Sequence, residues 1–419
     1  MNTPETHTPD RTPSGPGFRE FVAMMAALMA VNALSIDIML PALSVIGRDL
    51  GVTVENHQQL IIAIYLGSFG VGQLFYGPLA DRYGRRSVLL TSMLVYALMS
   101  FIAARAGSFE MLLVARAFQG MAAAATRILS ISIIRDRFSG RRMARVMSLA
   151  FLVFLSVPVI APTLGQLMLL VAPWHWIFYF LGGFSLLVML WAGLRLPETL
   201  DPARRLPISI RATSAAAVKV VTNRYSIGYS IASACAFGGM FGFLNSFPQI
   251  IEHVFHAPEL FAPCFAIMGG MMAVAALVNS RIVERLGSRL VSHSALTALI
   301  FVCVLKLVIV LSGWESLISF TLTSGITFFL IGLIGSNFGS MAMEPMGDLA
   351  GTASSVQGFL GMMVSTVIGL AIGQSFAGST IPLTAGWLLS SLAALALALW
   401  VERGRLFHAH NPRPTTPAH

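Results

Sequence analysis

Four charged side chains, Asp37, Arg116, Arg127 and Lys306, stand deep inside long apolar runs of this sequence. A charge in such a run is expensive, so it faces a protein interior or a water-filled path, and it marks ions, protons or substrate. Asp37 ends the first run in Asn32-Ala-Leu-Ser-Ile-Asp37-Ile-Met-Leu-Pro41 and is the leading functional residue. Its bland alternative is an acid hydrated at the membrane edge, because Pro41 lies one turn further on. Arg116, in Leu113-Val-Ala-Arg116-Ala-Phe-Gln119-Gly120, lies about two turns below the same surface, a depth that invites an ion pair with Asp37. Arg127 follows by three turns on the same face, about 16 Å away, and either lines a cavity or snorkels to headgroups. Lys306 is the basic residue of the ninth run and is a substrate contact or a snorkelling amine. Asn32, Tyr65, Gln73 and Gln119 are polar enough to line a cavity or to pack.

Other chemistries lack their residues. Cys235, Cys264 and Cys303 fall in apolar runs without metal-ligand spacing, and no cluster of Asp, His or Cys supplies a metal or a nucleophile. Neither Lys219 nor Lys306 follows a glycine, as a nucleotide-binding loop requires. No cofactor and no enzymatic activity are therefore expected. A channel would show a repeated pore element, which the two unlike halves of this chain do not.

The elements that hold these residues are membrane helices. The 419 residues are 56% hydrophobic and 11% charged, with mean hydropathy +0.77, whereas soluble domains carry about a quarter charged residues. Apolar runs of spanning length cover residues 18–43, 58–80, 88–106, 109–134, 144–170, 174–195, 223–251, 259–280, 290–312, 316–340, 351–377 and 381–401. An all-α membrane protein of twelve helices is expected. The net charge of +9 suggests nucleic acid until its placement is read. Arginines follow the second, fourth, sixth, eighth and twelfth runs, while the opposite side has Arg48 and Arg105, so both termini are expected in the cytoplasm. Expected domains are a disordered tail at 1–17, a six-helix bundle at 18–195, a linker at 196–222, a second bundle at 223–402 and a tail at 403–419.

The stretch Gly77-Pro-Leu-Ala-Asp81-Arg82-Tyr-Gly84-Arg85-Arg86-Ser-Val-Leu89 reads as a short cationic loop between the second and third helices. A fainter copy, Glu284-Arg285-Leu-Gly287-Ser-Arg289, follows the eighth helix, 203 residues later. The repeat implies two related bundles with a cavity between them. In the fifth helix, Val157-Pro158-Val-Ile-Ala161-Pro162-Thr-Leu-Gly165-Gln166 combines two prolines with small residues four apart, a packing hinge.

The Gly77–Leu89 stretch resembles the G-x-L-A-D-R-x-G-R-R loop of the major facilitator superfamily, with Pro78 before the leucine. Together with Asp37-x-x-Leu-Pro41, Arg116-x-x-Gln119-Gly120, Ala161-Pro162-x-x-Gly165 and Ala350-Gly351-Thr352-Ala353-Ser354, the chain resembles the bicyclomycin/chloramphenicol-type (Bcr/CflA) drug:proton antiporters. That resemblance implies two pseudo-symmetric six-helix bundles, Asp37 as titrating proton carrier, Arg116 as its modulating partner, and Asp81 with Arg82, Arg85 and Arg86 as a cytoplasmic gate latch. It further implies proton-coupled efflux of drugs or other lipophilic small molecules across the inner membrane by alternating access, from a monomer whose partners are substrate, protons and lipid. In the fifth helix, Ala161 and Gln166 stand where such antiporters usually carry glycines. A dedicated exporter of a biosynthetic product or siderophore, or proton-coupled uptake of a small anionic metabolite, fits the same residues. A non-transporting receptor on this fold is the reading from another class, which the intact gate motif disfavours.

Overall fold

A computed structural model describes residues 15–205 and 210–407, so both expected tails lie largely outside the described residues. Twelve long helices run through it: α1 (Phe18–Asp37), α2 (Leu60–Tyr83), α3 (Arg85–Ala103), α4 (Phe109–Arg137), α5 (Gly140–Val171) and α6 (His175–Arg195). The second set is α7 (Arg224–Gln249), α8 (Phe261–Leu286), α9 (Ser288–Leu311), α10 (Leu317–Met343), α11 (Ala350–Gln374) and α12 (Ile381–Val401). Eleven are long and apolar enough to cross a membrane; in α5 the described apolar part is the shorter Ser156–Val171. Backbone groups in hydrocarbon need partners inside their own segment, which is why spanning runs of this composition become helices.

The packing repeats. In the first six helices α1 packs on α4, α5 and α6, α2 on α4, and α3 on α4 and α6; adding six to each label gives the pairs that pack in the second half. Between halves α11 lies along α2 and α8 along α5, a pair of contacts that the same shift interchanges. Two pseudo-symmetric six-helix bundles result, as a repeat in sequence requires.

Two expectations about local structure are corrected. The cationic stretch after the second run is helix, not loop: α2 continues through Pro78 to Tyr83, Gly84 alone breaks the ladder at φ +98°, and α3 begins at Arg85. Helical hydrogen bonds are local, so charges at the wet end of a helix need not end it. Gly287 repeats the device at φ +80° between α8 and α9, 203 residues on, in a region only glycine enters freely. The first apolar run is broken instead of continuous. After Asp37 a 3-10 turn, Leu40–Ala42, carries Pro41, and a short helix, Leu43–Asp49, follows. Proline's missing N–H and fixed φ favour such a break.

Candidate functional site

Asp37 is the last residue of α1, and its side chain is 5% exposed. No hydrogen bond or ion pair reaches its carboxylate among the described residues. The α1 backbone here touches α5: a Cβ on Gly165 would collide with the Ile38 carbonyl oxygen and meet Pro41 Cγ at 3.2 Å. Gly165 is thus the point where two backbones meet, and the buried Ala161 and Pro162 line the same helix one turn earlier.

Arg116 is completely buried, and the expected ion pair with Asp37 is not formed. Its Nε donates to the Ile61 carbonyl at 3.2 Å, Nη2 to the Ser35 carbonyl at 3.1 Å and Nη1 to Gln119 Oε1 at 2.6 Å. The guanidinium lies 4.1 Å from the centroid of the Tyr65 ring. Neutral acceptors and a ring face therefore satisfy the cation, so a second buried charge is not needed. The bond to Ser35 ties α4 to α1 two residues before Asp37.

Around Arg116 the structure gathers Asn32, Tyr65 and Gln119 into one buried network. The Tyr65 hydroxyl donates to Asn32 Oδ1 at 2.9 Å, Gln119 Nε2 donates to Ser100 Oγ at 2.7 Å, and the Ser35 and Tyr96 hydroxyls bond each other. Sequence reasoning missed Ser35, Tyr96 and Ser100; among these, Ser35, two residues from Asp37, offered a signal. Gln73 is elsewhere, with Nε2 3.3 Å from the Gly358 carbonyl across the two halves. The Arg127 side chain is not packed into its bundle but lies open on the surface of α4. Lys306 does not face a cavity: it is 1% exposed inside the second bundle, its Nζ 2.7 Å from Ser324 Oγ and 4.2 and 4.4 Å from the Phe320 and Trp387 ring centroids.

At the arginine-rich end, Asp81 and Arg85 pair at 2.7 Å and Arg85 also reaches Asp136 at 3.2 Å. Glu198, from beyond α6, accepts from the backbone N–H groups of Arg85 and Arg86 at 2.9 and 3.2 Å and so caps α3. Arg86 Nη2 donates to the Gly193 carbonyl at 2.5 Å, while Arg82 is exposed. Gly77 sits opposite Ser355 of α11, whose Oγ would be 3.6 Å from a Cβ there. Asp136 and Glu198 were not anticipated. In the second half Arg289 binds Glu402 at 2.7 Å and Glu344 at 3.5 Å, and Glu284 and Arg285 are exposed. Glu402 follows α12 as Glu198 follows α6, and each acid lies 113 residues after the arginine it serves. Burial alone would push the Glu402 carboxyl up, but donation from the Tyr229 hydroxyl and Arg289 outweighs it and holds the group below the usual carboxylate range.

The bundles are tied at the opposite end by a clasp of amides. Gln59 Nε2 donates to Gln249 Oε1 at 2.6 Å and to the Gly373 carbonyl at 3.0 Å, and Gln249 Nε2 donates to Asn56 Oδ1 at 2.9 Å. Gln374 Nε2 bonds the Asn56 carbonyl at 2.6 Å. Beside them Ser44 donates to Glu252 at 2.7 Å, and His253 meets Glu55 at 2.6 Å.

Comparison with known proteins places this geometry. A family model described as Major Facilitator Superfamily matches residues 25–370. An uncharacterised MFS-type transporter, YdgK of Bacillus subtilis (strain 168), is 30% identical over 369 residues, 86% of this chain and 90% of its own. A bicyclomycin resistance protein homolog of Haemophilus influenzae is 29% identical, covering 83% of this chain and 87% of its own. The multidrug resistance protein MdtL of Shewanella sp. (strain ANA-3) is 38% identical over a shorter part, 38% of this chain and 40% of its own. The solved structure of the human organic anion transporter MFSD10 (TETRAN) superimposes with a TM-score of 0.64 at 18% identity, over 92% of this chain and all of its own, a likeness of fold. Two six-helix bundles related by a repeat, a lone acid at the end of the first helix and a family match over most of the length lead to one assignment: the chain is a multi-pass membrane transporter of the major facilitator superfamily, with Bcr/CflA-type relatives.

Proposed function

We propose that this transporter exports small lipophilic compounds, drugs among them, in exchange for protons, with Asp37 as the proton carrier. The observation that carries the reading is a carboxylate 5% exposed and without a partner among the described residues. Ionised and buried, such a group calls for a proton or a cationic substrate. The names of two relatives, a bicyclomycin resistance homolog and a multidrug resistance protein, support drugs as cargo. The arginine distribution supports both termini in the cytoplasm, and the bacterial sources of the relatives support a bacterial inner membrane; in this reading the chain is a monomer with one bundle at 18–195 and the other at 223–402.

In this mechanism Arg116 works through α1. By holding the Ser35 carbonyl it fixes the helix just ahead of Asp37, and the Leu40–Ala42 turn just after Asp37 touches α7 of the other bundle. A change in the charge of Asp37 therefore acts at the junction between the bundles. Proton entry from outside releases the cargo; proton loss to the cytoplasm restores the carboxylate for the next cycle. The amide clasp closes the outer side in the conformation described here.

The test is a drug-susceptibility panel in efflux-deficient bacteria, with wild type and Asp37→Asn matched for expression. Resistance to several unrelated compounds is expected for the wild type and is lost in the variant. Resistance that survives in Asp37→Asn removes Asp37 from the mechanism. A second reading, movement of a small anion, is favoured by one observation: Arg127 is an exposed cation within a spanning helix. Uptake of a radiolabelled organic anion into proteoliposomes, abolished by Arg127→Ala, would select it.

A further inference from the structure

Beyond α12 the chain does not simply leave the bundle. Arg403 and Gly404 both turn into the left-handed region at φ +53° and +78°, Gly404 N–H returns to the Leu399 carbonyl at 2.9 Å, and Phe407 N–H donates to His293 Nδ1 at 3.2 Å. This folded-back segment roofs a cavity of about 900 Å³ at the arginine-rich end of the second bundle. Arg224 from the start of α7, Arg289 from the start of α9, and Arg403 and Arg405 from beyond α12 converge on it, against Glu344 and Glu402. Both acids are already engaged by Arg289, and Glu402 also takes the Tyr229 hydroxyl at 2.6 Å. Arg224 spends Nη2 on the Val401 carbonyl at 2.7 Å, whereas Arg403 and Arg405 have no acidic partner among the described residues and are exposed. The cavity thus has more guanidinium than carboxylate and holds unspent N–H donors.

Arginines that only set topology need do no more than lie on one side of the membrane. Here three separate segments bring them into one concavity, where planar guanidinium forks match the oxygens of a phosphate. Beside it, on the last turn of α12, Trp400 is 53% and Leu399 37% exposed, an apolar lip facing outward from the bundle. We infer that this cavity binds the phosphodiester headgroup of an anionic membrane lipid, with the acyl chains lying over Leu399 and Trp400. Basic pockets between spanning helices at a membrane surface take such headgroups. The lipid would brace the end of α12 against the starts of α7 and α9, adding to the bonds that Arg224, Tyr229, Arg289 and His293 already make there.

The experiment uses the full-length protein in a neutral detergent and measures its thermal unfolding midpoint against added phosphatidylglycerol, phosphatidylcholine or inorganic phosphate. Three forms are compared: wild type, Arg403→Ala with Arg405→Ala, and Arg135→Ala with Arg142→Ala, which removes two exposed arginines elsewhere at the same end. Phosphatidylglycerol is expected to raise the midpoint of the wild type and of the second double variant, and the first is expected to lose most of that rise. Native mass spectrometry should show one retained phosphatidylglycerol, missing from the Arg403/Arg405 variant. An equal loss in both double variants, or an equal rise with phosphatidylcholine, would overturn the site. A rise with inorganic phosphate as large as with the lipid would overturn the lipid as its source.

Discussion

Arg116 shows what a buried cation does when its acid is not the partner. Its three bonds reach α2, α1 and its own helix, so its removal loosens three elements at once. Arg116→Lys keeps the charge but replaces a planar fork by a tetrahedral ammonium that does not span both carbonyls. A buried acceptor left unmet costs about 1–3 kcal/mol. The expected outcome is a clearly lowered unfolding midpoint with transport lost even where folded protein is recovered, read by thermal unfolding and by efflux. At the other end of the molecule, Glu402 predicts an acid response. Its folded value lies below the ordinary one, so its contribution is complete above the usual carboxylate range and is lost as pH falls through the lowered value. Unfolding scans at stepwise lower pH should show a loss that Glu402→Gln no longer displays. Asp37 was legible in the sequence because an acid in an apolar run is rare and costly. Two of the partners of Arg116 were not, because they are main-chain carbonyls, and every residue has one.

Elements are joined at glycines more than at charges. A Cβ on Gly120 would collide with the Tyr65 carbonyl oxygen of α2, and one on Gly165 with the Ile38 carbonyl oxygen just beyond α1, whereas a Cβ on Gly183 of α6 meets nothing within 4 Å. Gly165→Ala and Gly120→Ala should each cost about 1–3 kcal/mol through overpacking and sharply reduce transport. Gly183→Ala should be neutral or slightly stabilising, since alanine is the better helix former. Equal behaviour of all three in thermal unfolding would reject backbone contact as the reason for the motif. Twelve helices could be read from apolar length, and the halves from the 203-residue echo. The helical nature of the arginine stretch could not, because polarity marks where a chain meets water and not whether its main chain is coiled. Glu198 and Asp136 escaped notice for another reason: their importance comes from chain segments that meet Arg85 only after folding.

In the whole molecule, the two ends are held by different chemistry. The arginine-rich end uses ion pairs inside each bundle; the other end joins the bundles largely through neutral amides. Each such bond contributes about 1 kcal/mol, so the closed state is held by a few kilocalories and remains reversible. Gln59→Ala with Gln249→Ala should shift the population toward separation at that end. Spin labels at the exposed Thr53 and Glu259 would report a longer distance in the variant, and an unchanged distribution would show that the amides do not hold the closure.

The capping of α3 by Glu198 has a consequence for biogenesis. A chain made from its N-terminus reaches Gly84 early, yet the acid that completes the turn is 113 residues beyond Arg85, and Arg289 waits equally long for Glu402. Each bundle therefore receives its completing acid just after its last helix, and the first can be finished before the second has begun. Loss of either glutamate should accordingly show itself in how many molecules reach the membrane intact, while each survivor turns over at its ordinary pace.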